Sequence, residues 1–382
     1  LRQINQQRKS QINLNRKEKC DMSQPTVIGY MKEQPQRLAY VYENRNEFVD
    51  PFVEVFKENN IKKVIFFGSG TSYNVSQIAT YYFKHLVGIA AEAQYPTVFQ
   101  SYEKADWSNL INPDEILFVG ISQSGTSIST VKVMEHAQKL GYHTLAITGN
   151  TKSKITEYVD TVVPLLVGDE LTPPETKGYT VSLLSVYLWA LACAKLLGNI
   201  DQTEYEGMLD ELKGLIDHFE QVVEESEAWY DRNKATIVNS DRIYILGYGI
   251  DYGTALEAQL KIGEMLRLPT LGYEIEEYSH GPTMALNKKQ TIFIIGSDEV
   301  EFEHMLHFAD AFRQYSDRVH IVTCKDIKAD DRDLVFSYKT IKFLAPLMYT
   351  VPFQFVAAKG AKDIGIDTGI NPFEIPLAHY ES

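Results

Sequence analysis

The sequence predicts an α/β protein of two similar three-layer α/β/α lobes, each built around a mostly parallel sheet. Three observations predict it. Apolar runs of strand length end in short Gly/Ser-rich loops that open helical patterns, such units follow one another directly, and the arrangement recurs in the second half of the chain.

The first unit is Val64-Ile65-Phe66-Phe67, the loop Gly68-Ser69-Gly70-Thr71-Ser72, and a helical pattern over 73–86. The second is an apolar run over 115–121, the punctuating Ser122-Gln123-Ser124-Gly125, and helical spacing over 127–140. Successive strand-helix units need crossover connections, which make neighbouring strands parallel. Further strands are expected at 143–148 and 159–165, and a long apolar helix over 179–197 closes a first lobe spanning 26–200. A charged helical segment over 201–235 links it to a second lobe, 236–360, followed by a tail over 361–382.

In the second lobe, Arg242-Ile243-Tyr244-Ile245-Leu246-Gly247-Tyr248-Gly249 leads into a helix from Tyr252. Thr291-Ile292-Phe293-Ile294-Ile295-Gly296-Ser297 leads into another. Gly68 and Gly247 lie 179 residues apart, and Ile121 and Ile295 lie 174 apart, which reads as an internal duplication. The copies are unequal. Where the first has Ser122-Gln123-Ser124-Gly125, the second has Gly296-Ser297-Asp298-Glu299, whose two acids would repel a phosphate. Only the first copy is expected to bind one.

Composition narrows the class. A chain of 382 residues, 44% hydrophobic and 23% charged, has material for two cores without staples. Cys20, Cys193 and Cys324 are widely separated and form no C-x-x-C, so neither a disulfide framework nor a thiolate zinc site is expected, and the reading is a reducing, cytoplasmic setting. A formal net charge of -14 makes nucleic acid a poor partner.

Residues 1–25 read as a disordered leader. Arg2, Arg8, Lys9, Arg16, Lys17 and Lys19 stand against Glu18 in a Gln- and Asn-rich stretch without the apolar segment of a secretory signal, and Met22 is a candidate initiator. The apolar stretch 181–197 is interrupted by Ser182, Ser185 and Lys195 and is short for a membrane span, so a buried helix is expected there and no membrane partner.

Ser122-Gln123-Ser124-Gly125, at the carboxyl end of a strand and the start of a helix, offers an anion three things: unpaired helix N-terminal N–H groups, a favourable dipole, and hydroxyls at Ser122, Ser124 and Ser127. A ligand-free helix cap is the plain alternative for one such loop. Gly70, Thr71 and Ser72 on the same sheet edge, one unit earlier, favour a phosphate site. Neither Gly68-Ser69-Gly70 nor Gly247-Tyr248-Gly249 completes a dinucleotide fingerprint, because Tyr73 and Tyr252 stand where the third glycine belongs. A small sugar phosphate fits better, and no cofactor is expected.

Glu257, Lys261 and Glu264 fall at i, i+4 and i+7 of the second-lobe helix and share one face. An exposed Glu-Lys ladder is the ordinary reading, but Ala255, Leu256, Ala258, Leu260 and Ile262 surround the stripe and imply partial burial. Sixteen residues beyond Glu264 comes His280-Gly281-Pro282, a turn able to present an imidazole. Carboxylate and imidazole together are a minimal kit for moving a proton between adjacent carbons. His304 and His307 form an H-x-x-H pair, but Glu301 and Glu303 mark that helix face as wet, and no metal site is expected.

These residues jointly resemble the sugar-isomerase (SIS) superfamily. Gly70-Thr71-Ser72-Tyr73, Ser122-Gln123-Ser124-Gly125, Ala255-Leu256-Glu257 with Lys261 and Glu264, and His280-Gly281-Pro282 recur in this order in the isomerase half of glucosamine-6-phosphate synthase, over residues 26–347. The resemblance implies two SIS domains, a homodimer or higher oligomer, and a phosphosugar held by Ser72, Ser122, Gln123, Ser124 and Ser127. It further implies that Glu264 moves the proton between C1 and C2 with Lys261 close by and Glu257 as a neighbour. His280 would assist ring opening from the adjacent subunit.

The departures are informative. Only 67 residues precede Gly68, so no glutaminase and no ammonia delivery are expected; residues 368–382 contain no lysine, unlike the synthase tail; and the first-lobe segment reads Thr172-Pro173-Pro174-Glu175-Thr176-Lys177. In these features the chain is similar to the fructosamine-6-phosphate deglycases, which keep the glutamate and histidine sixteen residues apart. The implied reaction reverses an Amadori rearrangement and hydrolyses the resulting imine. A glucosamine-6-phosphate deaminase or a ketose-aldose isomerase would use the same pair. A non-catalytic sugar-phosphate sensor is the reading of another class, but it has no use for Glu264 and His280.

Overall fold

The structure is a computed structural model that describes residues 26–297, 300–370 and 372–373. The expected leader and the acidic pair Asp298 and Glu299 lie outside the described residues, as does most of the tail beyond residue 370.

Two helices, α1 (Val27–Glu43) and α2 (Asn46–Asn59), precede the first strand. Then come β1 (Lys63–Phe67), α3 (Thr71–Tyr82), β2 (Ala90–Gln94), α4 (Pro96–Tyr102), β3 (Ile116–Ile121), α5 (Ile128–Lys139), β4 (His143–Thr148), β5 (Thr161–Pro164) and α6 (Lys177–Leu196). The link expected as one charged helical segment is a pair, α7 (Gln202–Asp217) and α8 (Phe219–Val238), broken at His218. The second lobe runs β6 (Arg242–Gly247), α9 (Gly249–Met265), β7 (Thr270–Glu274), α10 (Ile275–Ser279), β8 (Gln290–Gly296), α11 (Phe302–Arg313), β9 (Val319–Thr323), β10 (Leu334–Val335) and α12 (Ala345–Asp363).

The two five-stranded sheets are parallel throughout, in the orders β2-β1-β3-β4-β5 and β7-β6-β8-β9-β10. Element for element the orders coincide, as a duplication requires. A shared detail reinforces this. A Cβ on Gly68 would meet the backbone of Ser72 at 2.5 Å, and one on Gly247 would meet the backbone of Asp251 at 2.8 Å, so both lobes need glycine where the helix turns back over the strand end.

Parallel sheets bury both faces, which is why their strands read as unbroken apolar runs. In β1, Val64 and Phe66 join a main core while Ile65 and Phe67 join a smaller outer one. The main core is continuous across the lobes, taking in Ile243 and Ile245 of β6 together with α6, α9 and α12. By length and apolarity α6 would suffice to cross a membrane, but 83% of its apolar window is buried inside the fold. Its hydroxyls are satisfied within the helix, Ser182 donating to the Gly178 carbonyl and Ser185 to that of Val181. It is the buried helix the interrupted apolar stretch predicts.

A buried amide network ties the lobes where α6 begins. Gln34 of α1 donates to the side-chain oxygen of Gln354 on α12 at 3.0 Å and accepts from the Thr180 hydroxyl at 2.9 Å, while Gln354 donates to the Thr176 carbonyl at 3.1 Å. All four residues are buried. Gln354→Leu removes the acceptor of one buried donor and the donor of one buried carbonyl. It should lower unfolding free energy by about 1–3 kcal/mol in a denaturant titration; an unchanged midpoint would show the network to be energetically idle.

Candidate functional site

The strand-end loops of the first lobe meet above adjacent strands β1 and β3. The hydroxyls of Ser69 and Ser129 lie 3.1 Å apart, linking the loop that opens α3 to the start of α5. Gly70, with φ of +58°, precedes the first turn of α3, which carries Thr71 and Ser72. The second loop is fixed through its carbonyls: that of Gln123 accepts from the Gly149 N–H at 2.9 Å, and that of Gly125 accepts from the Ile155 N–H at 2.9 Å. The N–H groups of Gln123 and Ser124 donate to no acceptor among the described residues.

Ser122 is buried and its hydroxyl accepts from the Gly125 N–H; Ser124 is exposed, and Ser127 is half-buried at the start of α5. Gly125 has φ of +67°, and a Cβ there would fall 1.8 Å from the Ser153 hydroxyl oxygen, so no other residue fits this turn. The expected phosphate-loop residues Gly70, Thr71, Ser72, Ser122, Gln123, Ser124 and Ser127 are therefore carried on two adjoining loops and their helix starts.

The second lobe treats its equivalent loop differently. Asp251, 179 residues after Ser72, is fully buried on α9 and accepts from the Ser297 N–H at 2.7 Å and the Ser297 hydroxyl at 2.6 Å. A carboxylate of the protein itself thus satisfies the loop beyond β8. This gives the inequality of the two lobes a cause inside the described residues, apart from Asp298 and Glu299.

The α9 stripe faces the first lobe. Glu257 is buried, accepting at one oxygen from Asn74 Nδ2 at 2.7 Å and at the other from the Thr71 hydroxyl at 3.2 Å, both on α3. Lys261, also buried, lies 3.8 Å from Glu257 and 3.0 Å from Glu264. Glu264 is at the open end of the stripe, its side chain 39% exposed. The expected partial burial is thus a gradient along the helix. Burial pushes the Glu257 carboxyl up to about 7, with Lys261, Asn74 and Thr71 opposing the shift. Burial alone would lower the Lys261 ammonium, but the carboxylates of Glu257 and Glu264 outweigh it and hold that ammonium above its ordinary range.

His280 is exposed just past α10 and makes no hydrogen bond or ion pair among the described residues. Within one chain it is not brought against Glu264. His304 pairs instead with Glu276, the two side chains 2.5 Å apart on an exposed face.

Three residues that sequence reasoning did not single out belong to this region. Asn74 lies one turn from Thr71 on α3, which was the available signal. Glu170 accepts from the N–H groups of Thr176, Lys177 and Gly178 at 2.8 Å each, neutralising the first turn of α6, and accepts from Gln123 Nε2 at 3.2 Å. Glu175, half-buried, lies in the Pro-Pro segment before α6 and interacts electrostatically with Lys261 and Glu264.

The SIS domain profile matches residues 59–192 and 236–327, more than half of the chain. The chain belongs to the SIS domain family. The two matched stretches fall one on each sheet, so both lobes carry the family's signature. Among relatives, the glutamine–fructose-6-phosphate aminotransferase (isomerizing) of Clostridium tetani is 25% identical over 320 residues, covering 82% of this chain and 52% of that enzyme. The chain spans about half the length of the curated relatives it matches.

Among solved structures, a Clostridium difficile 630 protein provisionally named a phosphosugar isomerase superposes with a TM-score of 0.82 and 29% identity, covering 92% of this chain and 97% of that one. The C-terminal domain of glucosamine-fructose-6-phosphate aminotransferase from Francisella tularensis gives a TM-score of 0.78 at 20% identity, covering 91% and 97%, and shows the shared fold.

A carboxyl whose folded pKa is raised stabilises the fold below its ordinary value and loses that contribution as pH rises towards 7. Replacing Glu257 by the neutral Gln removes that loss. The stability of Glu257→Gln relative to the parent chain should therefore rise between about pH 5 and pH 8 in paired thermal melts. A difference that stays flat with pH would show that Glu257 ionises without penalty.

Proposed function

We propose that this chain is a sugar-phosphate enzyme of the SIS family that cleaves a glycated amine phosphate of the fructosamine 6-phosphate type into an aldose 6-phosphate and a free amine. The observation that carries the reading is the position of Glu264: a solvent-reachable carboxylate held by a buried lysine, on the helix face that packs against α3, whose N-terminal loop adjoins the anion loop of the first lobe.

On this reading the phosphate rests on Ser72, Ser122, Gln123, Ser124 and Ser127, and the acyclic sugar extends towards α9. Glu264 removes a proton from C1 of the 2-keto sugar, giving an enaminol across C1 and C2. Delivery of a proton to C2 then gives the C1 imine, and water adds to the imine carbon and expels the amine. Lys261 orients Glu264 and lowers the cost of charge next to the enaminol oxygen. His280 of a partner subunit would assist ring opening; its exposure and its lack of side-chain partners among the described residues support that role.

A glucosamine-6-phosphate deaminase or a ketose-aldose isomerase uses the same proton transfer, and a protein named glucosamine-6-phosphate deaminase from Thermotoga maritima shares the fold. The Thr172-Pro173-Pro174-Glu175 segment favours the deglycase.

Incubation with fructoselysine 6-phosphate should release glucose 6-phosphate, whereas glucosamine 6-phosphate should yield no ammonia; the opposite outcome replaces the deglycase with the deaminase. Glu264→Gln should lower kcat on the order of 10³-fold with little change in ligand affinity, and undiminished turnover removes Glu264 from the chemistry. Ser122→Ala and Ser124→Ala should instead raise KM, and an unaltered KM in both would displace the phosphate from this loop.

A further inference from the structure

Glu170 holds more than the start of α6. One of its carboxylate oxygens accepts from the Thr176 N–H at 2.8 Å, the Lys177 N–H at 2.8 Å and the Thr176 hydroxyl at 3.1 Å, and the other accepts from the Gly178 N–H at 2.8 Å and from Gln123 Nε2 at 3.2 Å. The first four donors belong to α6 and its cap residue Thr176, and they account for a carboxylate at a helix N-terminus. Gln123 does not belong to that cap. It lies 47 residues earlier, and its bond to Glu170 crosses from the anion loop to α6.

This bond leaves the Gln123 amide one orientation. The backbone of Gln123 is fixed separately, its carbonyl accepting from the Gly149 N–H at 2.9 Å. Its side-chain Oε1 is buried and meets no donor among the described residues, and it sits where residue 178 has no side chain: a Cβ on Gly178 would lie 1.7 Å from it. A half-turn of the amide would set Oε1 against the Glu170 carboxylate, acceptor against acceptor, and would leave the NH2 group buried beside Gly178 in place of the oxygen. A charge-assisted hydrogen bond would be exchanged for a repulsion.

Buried as it is, Oε1 is out of a ligand's reach, although the side chain as a whole is only half-buried. The amide nitrogen carries two hydrogens, of which Glu170 takes one, so the second Nε2–H is what Gln123 can offer a ligand. A phosphate dianion presents acceptors alone and gains from a donor that cannot turn its oxygen forward. We infer that Glu170 is a positioning residue whose carboxylate sets the Gln123 amide as a donor to the phosphate of the bound sugar. The inference rests on the reading of Ser122-Gln123-Ser124-Gly125 as the phosphate loop, and it adds the residue that orients that loop's amide.

Calorimetric titration with sorbitol 6-phosphate, which cannot react, tests this as a double-mutant cycle. Glu170→Gln replaces the carboxylate by a group that no longer dictates which end of the Gln123 amide it meets, and it should weaken binding about tenfold. Gln123→Met keeps the chain length and removes the amide, and it should weaken binding by a similar factor. Adding Glu170→Gln to Gln123→Met should weaken binding by no more than about a further twofold. A role confined to capping α6 would give the same loss in both backgrounds. That outcome overturns the inference, as does a Glu170→Gln chain that binds within about twofold of its parent.

A crystal structure of the unmutated chain with the same ligand is readable whether or not the variants fold. Gln123 Nε2 should lie within about 3.2 Å of a phosphate oxygen while still bonded to Glu170. Phosphate seated on Ser122 and Ser124 with Gln123 out of its reach, or with Gln123 parted from Glu170, overturns the inference and keeps the loop. Phosphate bound elsewhere removes the loop as the site and the inference with it.

Discussion

A buried carboxylate must find donors, and Glu257 finds them in the other lobe. Its two oxygens are held by Thr71 and Asn74 of α3, and Lys261 stands one turn along its own helix. Removing either donor would leave a charge or an unpaired oxygen in a dry interface, which costs several kilocalories per mole. The lobes are therefore fixed relative to each other at the place where the α3 loop also adjoins the start of α5, which follows the Ser122-Gln123-Ser124-Gly125 loop. Glu264, two turns beyond Glu257, inherits its position from this lock. The proposed chemistry depends on that rigidity, because proton transfer between neighbouring carbons needs an acid placed to within fractions of an ångström of a substrate anchored elsewhere.

The duplication explains how one fold supplies both halves of the site. Each lobe brings the same strand order and the same glycine-backed start of a helix over its first strand. In the first lobe that helix start carries Ser72, and in the neighbouring loop the N–H groups of Gln123 and Ser124 meet no acceptor among the described residues. In the second, Asp251 stands in the place of Ser72 and bonds Ser297. The second helix is then free to contribute its Glu257, Lys261 and Glu264 face. The proposed anion binding and acid-base chemistry would then be divided between copies of one unit by a few substitutions at equivalent positions.

Much of this was legible in the sequence. β1, β3, β4 and β8 are continuous apolar or β-branched runs, and buried parallel strands require such runs. β2 was not legible, because Ala90-Ala91-Glu92-Ala93-Gln94 has a helix-former's composition and becomes a strand only by pairing with β1. β7 was hidden similarly, as a half-buried edge strand interrupted by Gly272. The starts of α3 and α9 read two or three residues late, since glycine and hydroxyl residues mark a cap without fixing which residue begins the helix.

For the site, the i, i+4, i+7 stripe showed that Glu257, Lys261 and Glu264 share a face. It did not show that Glu257 is dry and Glu264 wet, since that follows from α3, 183 residues away between Asn74 and Glu257. The contributions of Glu170, Glu175 and Asp251 also depend on tertiary neighbours and leave no local pattern.

The central claim is that one hexose phosphate spans the two lobes. A crystal structure with sorbitol 6-phosphate, an acyclic ligand that cannot react, measures this directly. The account predicts phosphate oxygens within hydrogen-bond reach of Ser122, Ser124 and Ser127, and the first two carbons within about 3.5 Å of the Glu264 carboxylate. Phosphate bound away from that loop, or carbons directed away from α9, would contradict it.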